Sequence, residues 1–236
     1  MLIRARLELQ VPEMPPSHPR GSTTALVLAL LCLACPVAFA RHHRDPAQDG
    51  ESGRFDYYLL SLSWSPTYCL THPYDRAQCA SKGYGFVLHG LWPQYDAGGY
   101  PRNCADLPLS ADAEAFAKTL YPSPKLVQHE WSQHGSCSGM DAMGYFRTAD
   151  RATAVVRIPE QFEAPLTTLL MSDEQIASAF RVANPALPPD SLTVVCARGQ
   201  LVEVRICLNR ALAARSCGRG VRSTCPAAPV QIRSTR

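Results

Sequence analysis

The sequence predicts an α+β fold, a central antiparallel sheet with helices packed against it and disulfides stapling the whole. Three observations predict it. A strand-like alternation stands at Tyr57–Trp64, helical patterns with capping residues fill the middle of the chain, and two β-rich runs flank a glycine turn near its end. Strands, then helices, then strands is the order of an α+β domain rather than of alternating βαβ units.

The elements follow in order. In Tyr57–Trp64, Tyr58, Leu60, Leu62 and Trp64 share one face, with Ser61 and Ser63 on the other, the period of two of a strand. Gly85-Phe86-Val87-Leu88 is a second, short apolar strand. Ser110 caps a helix over 111–120, with Asp112 and Glu114 in the first turn, where negative charge offsets unpaired N–H groups. Pro122 and Pro124 stop it. Ser123-Pro124 then opens another helix, since the missing proline N–H is not needed at the first helical position. That helix runs over 125–134 and ends at Gly135. Further helices are expected over 141–156, 161–170 and 173–183. The last opens with a capping box, Ser172 and Gln175, and stops before Asn184-Pro185. Leu192–Ala197 and 201–208 form a hairpin around Arg198-Gly199.

Of 236 residues, 46% are hydrophobic and 18% charged, so the chain can bury a core and is not a disordered polyelectrolyte. Its formal net charge is +3, which argues against a histone-like nucleic-acid binder. Residues 25–40, ALVLALLCLACPVAFA, are apolar but shorter than the ~18 residues of a membrane span. Arg20 precedes them, and Ala38-Phe39-Ala40 has the small-x-small form of a signal-peptidase site. Residues 1–40 are therefore expected to be a signal peptide, with Met14 an alternative start, residues 41–54 a flexible leader, and 55–236 a single domain. After cleavage no membrane segment is expected, and the chain would reside in the periplasm or outside the cell. Its Ala- and Arg-rich, lysine-poor composition points to a GC-rich genome, hence to a bacterium. Eight cysteines follow the signal, at 69, 79, 104, 137, 196, 207, 217 and 225. An even count in an exported chain reads as four disulfides, although sequence leaves their connectivity open. None has the CxxC spacing of a structural zinc site.

Chemistry concentrates in His89-Gly90-Leu91-Trp92-Pro93 and in the nine residues His129 to Cys137, HEWSQHGSC. On a helix Glu130 and His134 are i, i+4 and share a face. A carboxylate there would raise the histidine's pKa and orient it, a general-base unit. His129 and His134 are i, i+5, about 140° apart around a helix, which is not the pair of a HExxH zinc site. His89 ends a strand at a glycine turn, exposed to a cleft. Two histidines from separate elements can act as acid and base on one phosphate. His72 has no assigned role.

FVLHGLWP and HEWSQHGSC resemble the two active-site signatures of the RNase T2 family. FDYYLLSLSWSPTYC also resembles the family's opening strand and LVEVRICLN its late strand, so the likeness covers about residues 55–232. The resemblance implies an endoribonuclease that cleaves single-stranded RNA through a 2′,3′-cyclic phosphate to 3′-phosphate ends, as a monomer with no metal or cofactor. DNA, lacking the 2′-OH, is excluded. It implies His89, Glu130 and His134 as the catalytic residues, with His134 as base, His89 as acid, and Glu130 stabilising the phosphorane and orienting His134. His129 would contact phosphate and Trp92 line the base or sugar site. It further implies the pairings Cys69–Cys79, Cys104–Cys137, Cys196–Cys225 and Cys207–Cys217.

One departure concerns substrate binding. The family usually carries lysine before the last histidine, and here it is Gln133. Losing one charge-stabilising donor costs about 10²–10³ in rate, so reduced activity is expected, unless a displaced cation such as Lys125 or Arg147 compensates. Two other readings remain at this stage. One is a catalytically weakened relative that binds RNA or a partner; the other is a metal-dependent phosphodiesterase with the histidines as ligands.

Overall fold

The computed structural model describes residues 47–236. The expected signal peptide and residues 41–46 lie outside them. The elements run β1 (Ala47–Asp49), β2 (Tyr57–Trp64), α1 (Ser65–Thr71), α2 (Arg76–Cys79), β3 (Phe86–Gln94), β4 (Tyr100–Arg102), α3 (Ala111–Ala117), α4 (Pro124–Gln133), α5 (Ala142–Ala154), β5 (Leu169–Met171), α6 (Asp173–Ala183), β6 (Leu192–Ala197), β7 (Gln200–Leu208) and β8 (Val230–Ile232). Among them no helix is long and apolar enough to cross a membrane.

The main sheet is antiparallel through β3, β2, β7 and β6, while β8 joins β7 in parallel and carries β5 antiparallel. The expected face of β2 does enter the core. Tyr58, Leu60, Leu62 and Trp64 pack with Val127 and Trp131 of α4, Tyr145 and Phe146 of α5, and Phe180 of α6. Ser61 and Ser63, expected on the outer face, are buried as well. That face carries a second layer, in which Tyr57, Leu59 and Cys207 pack with Trp92. In the β6–β7 hairpin Arg198 and Gly199 both take positive φ, 51° and 72°, the conformation that matches a two-residue turn to the strand twist. Ser172 and Gln175 form the expected capping box of α6.

Three expectations differ. No helix spans 161–170. A 3-10 turn, Glu160–Phe162, is followed by strand β5. Pro165 interrupts the segment, and Leu166 and Leu170 are exposed, so no apolar stripe exists to dock a helix. The second strand does not stop at Leu88 but continues to Gln94. Pro93 is tolerated there because β3 is an edge strand, where a missing ladder N–H costs little. The described half of the leader is docked rather than free. β1 pairs in parallel with β4, Gly53 N donates to Cys137 O at 2.9 Å, and Ser52 Oγ donates to Ser136 O at 2.6 Å. Such main-chain docking leaves no trace in composition.

The disulfides are Cys69–Cys79, Cys104–Cys137, Cys196–Cys225 and Cys207–Cys217, the four pairings the resemblance implies. Cys104–Cys137 spans 33 residues, tying the chain after β4 to the turn Gly135–Cys137 that follows α4. Closing a loop of that length stabilises a fold by about 3–4 kcal/mol. Replacing both cysteines by serine should lower the urea-unfolding free energy of the otherwise oxidised protein by that amount.

Candidate active site

Strand β3 carries the first motif, and its register with β2 is broken once. Gly90 pairs with Ser61 and Leu88 with Leu62, leaving His89 as the extra residue of a bulge. His89 is therefore within the strand, not at its end. The bulge lets Leu88 point into the core while His89, Gly90 and Trp92 serve the opposite face. Across the sheet Ser61 pairs with Arg205 and Ser63 with Glu203, so these four also belong to that face.

Helix α4 brings the second motif. Glu130 is fully buried, and its Oε2 accepts a 2.8 Å hydrogen bond from Trp92 Nε1. Gly90 lies beneath this contact, where a Cβ would collide with both the Glu130 carboxylate and the Trp92 indole nitrogen. The helix ends at Gln133, one residue before the expected end. His134 is its C-cap, at φ −127° and ψ −48°, outside helical geometry. This brings the two histidines together instead of holding them on separate helix faces: the His129 and His134 rings are 6.1 Å apart. Gly135 permits the exit, since a Cβ there would lie 2.6 Å from the Trp131 ring and 2.8 Å from Tyr145. The His89 and His134 rings both pack on Trp92, at 5.0 and 5.3 Å between centroids, and Tyr100 stands 5.9 Å from His134.

The expected carboxylate–imidazole pair is differently composed. The hydrogen bond of Glu130 goes to Trp92 and not to His134. The histidine that faces a carboxylate is His89, whose Nδ1 lies 2.5 Å from Glu203 Oε1. Sequence reasoning missed Glu203 and Arg205. Their signal was present in LVEVRICLN, where two charges two residues apart interrupt an otherwise apolar strand.

These partners set the protonation states. Burial opposes the charged form of His89, but the hydrogen bond and charge of Glu203, with Glu130 behind it, outweigh burial and raise its pKa. Burial and then the nearby His129 and His89 charges push His134 down to about 3, so it is held neutral. Burial lowers His129 as well. Glu130 is pushed up to about 8 by burial. Glu203 is buried too, yet its bond to His89 and the charges of His89 and Arg205 overcome burial and hold it near 2. One imidazole that favours its proton and one that favours losing it pack on the same indole.

Gln133 is tied to the loop before Cys104, its Nε2 donating one of its two N–H groups to Asn103 Oδ1 at 2.7 Å. Of the two cations considered as replacements, Lys125 lines a cleft of about 350 Å³ together with His89, His129, Ser63 and Tyr68, and Arg147 does not. Larger grooves of about 500 and 640 Å³ lie elsewhere and contain none of the three histidines.

A profile of the Ribonuclease T2 family matches residues 55–217. The chain is 50% identical over 100 residues to a ribonuclease of Aeromonas hydrophila, covering 42% of this chain and 46% of that one. It is 37% identical over 122 residues to a probable ribonuclease of Haemophilus influenzae, covering 45% of each. It thus spans about half the length of these two relatives. An RNase-related protein from Calystegia sepium has the same fold, with a TM-score of 0.64 at 23% identity over 79% of this chain and 100% of that one. With both motifs inside the matched segment and their histidines gathered around Trp92, the chain belongs to the ribonuclease T2 family.

Proposed function

We propose that this protein is an endoribonuclease that cleaves single-stranded RNA by metal-free transphosphorylation. The observation that carries the reading is the pair of imidazoles packed on Trp92, one biased towards the charged form and one held neutral. Neutral His134 takes the proton of the 2′-OH as its oxygen attacks phosphorus. His89 gives its proton to the departing 5′-oxygen, leaving a 2′,3′-cyclic phosphate. In the second step the roles reverse: His89 takes a proton from water, His134 returns one to the 2′-oxygen, and a 3′-phosphate remains. DNA offers no 2′-OH and is not a substrate.

Glu130 suits a role as neutral donor. Its Oε2 already accepts from Trp92, and burial keeps the carboxyl protonated, so it adds no negative charge beside the developing phosphorane. His129, exposed at the cleft, contacts phosphate, and Trp92 presents its ring to base or sugar. Four disulfides fit an oxidising compartment, and we place the protein, after signal cleavage, in the periplasm or outside the cell, free of the membrane and acting as a monomer.

One observation favours a second reading. Donor atoms of His129, Glu130 and His134 all lie within 4.8 Å of one another, a spacing that a metal ion could use. A single assay separates the two. Single-stranded RNA in excess EDTA should be cleaved at mildly acidic pH to ends carrying cyclic phosphate, read by mass spectrometry, and His134→Ala should lose about 10²–10⁴ of that activity. Cleavage that requires added metal would decide for the second reading.

The protonation states set the pH profile. His89 works protonated and its pKa is raised above 6.5, so kcat/KM should hold through mildly acidic pH and fall only above that value. His134 works neutral and titrates near 3, so no acidic limb should appear above about pH 4. Gln133→Lys should raise turnover by up to about 10²-fold by restoring positive charge at the phosphate, measured under the same conditions; unchanged turnover would show that the site does not lack that charge.

A further inference from the structure

The reaction described above leaves one buried charged group unused. Glu203 sits mid-strand in β7 at 4% exposure, between the core residues Leu201 and Val204. A carboxylate is strongly disfavoured there unless paired on both oxygens. Glu203 is so paired: Oε2 accepts from Arg205 Nε at 2.7 Å, and Oε1 meets His89 Nδ1 at 2.5 Å. The strand ladder alone would be satisfied by any apolar residue at this position.

We propose that Glu203 is the positioning residue of the acid histidine: steadied by Arg205, it holds His89 Nδ1 and thereby turns Nε2 into the cleft, towards the oxygen that leaves phosphorus. The proposal rests on the RNA-cleavage reading above. With Nδ1–H given to the carboxylate, the transferable proton of the ring resides on Nε2. The carboxylate also stabilises the charged ring between turnovers. Arg205 has a second contact, its guanidinium lying 5.2 Å from the centre of the Trp92 ring. Trp92 therefore locates both carboxylates, Glu130 directly and Glu203 through Arg205. The groups facing His89 are Glu203 and Arg205 from β7, Glu130, His129 and His134 from the end of α4, and Lys125, Tyr68 and Asp75 across the cleft. Of these, only Glu203 is hydrogen-bonded to the ring.

The test is an NMR titration of the His89 ring nitrogens in the oxidised protein, beside kcat/KM profiles on an RNA oligonucleotide. Glu203→Gln should move the His89 midpoint to lower pH and carry the alkaline limb of kcat/KM with it. It should lower kcat about 10–100-fold with KM little changed, and Glu203→Asp should recover part of both effects. Arg205→Gln, which removes the guanidinium bonded to Glu203, should move the midpoint the other way, to higher pH. A His89 midpoint and an alkaline limb that stay in place in Glu203→Gln would overturn the proposal. A purely structural carboxylate would lower the active fraction without moving either. Should Glu203→Gln fail to fold, the direction of the Arg205→Gln shift decides: an unmoved or lowered midpoint overturns the proposal. Wild-type protein that leaves RNA intact would sink the cleavage reading, while the titration would still report whether Glu203 governs His89.

Discussion

The site depends on one buried hydrogen bond, from the Trp92 indole to the Glu130 carboxyl. It joins the edge strand of the sheet to the helix that carries the second motif. Gly90 makes it possible, because any side chain there would occupy the space of the bond itself. A buried carboxyl without a donor is costly, so the pair Trp92 and Glu130 is fixed as a unit, and the spacing of Gly90 and Trp92 along β3 follows from it. The His89 and His134 rings then both rest against this indole. Geometry that looks like four separate side-chain choices reduces to one contact and the room it needs.

Two carboxyl groups on the same face of the sheet end in opposite states. Glu130 is hydrogen-bonded to an indole N–H, and burial outweighs that bond and the charge of His89, so its proton is retained. Glu203 meets a guanidinium and an imidazole, so charge dominates and its proton is lost. The proposed RNA cleavage would use both kinds of group, a neutral donor and a fixed anion. The fold supplies them by controlling which partners each carboxyl can reach.

Much of this was legible in the sequence. Strand β2 and helix α6 were readable because alternation and a capping box act within a few residues, and both faces of β2 carried a signal even though the serine face turned out to be buried under a second layer. The two motifs were readable as chemistry because histidine, tryptophan and glycine rarely crowd together for packing alone. What escaped was decided over longer range. The approach of His129 to His134 follows from where α4 stops, which Cys137, Tyr145 and Gly135 settle between them. The role of β7 was hidden because Glu203 is 114 residues from His89. The false helix over 161–170 had formers enough but no apolar stripe to bury.

The bulge at His89 has a consequence for how such a chain can change. A strand turns alternate residues to alternate faces, and the bulge spends one residue to shift that alternation between Leu88 and Gly90. Substitution along β3 alters what a position contributes, but insertion or deletion of one residue exchanges core for cleft over the rest of the strand. A substitution at the half-buried Val87 leaves that alternation in place, whereas a change of length does not. The strand's reading frame in space, more than its spelling, is what descent must preserve.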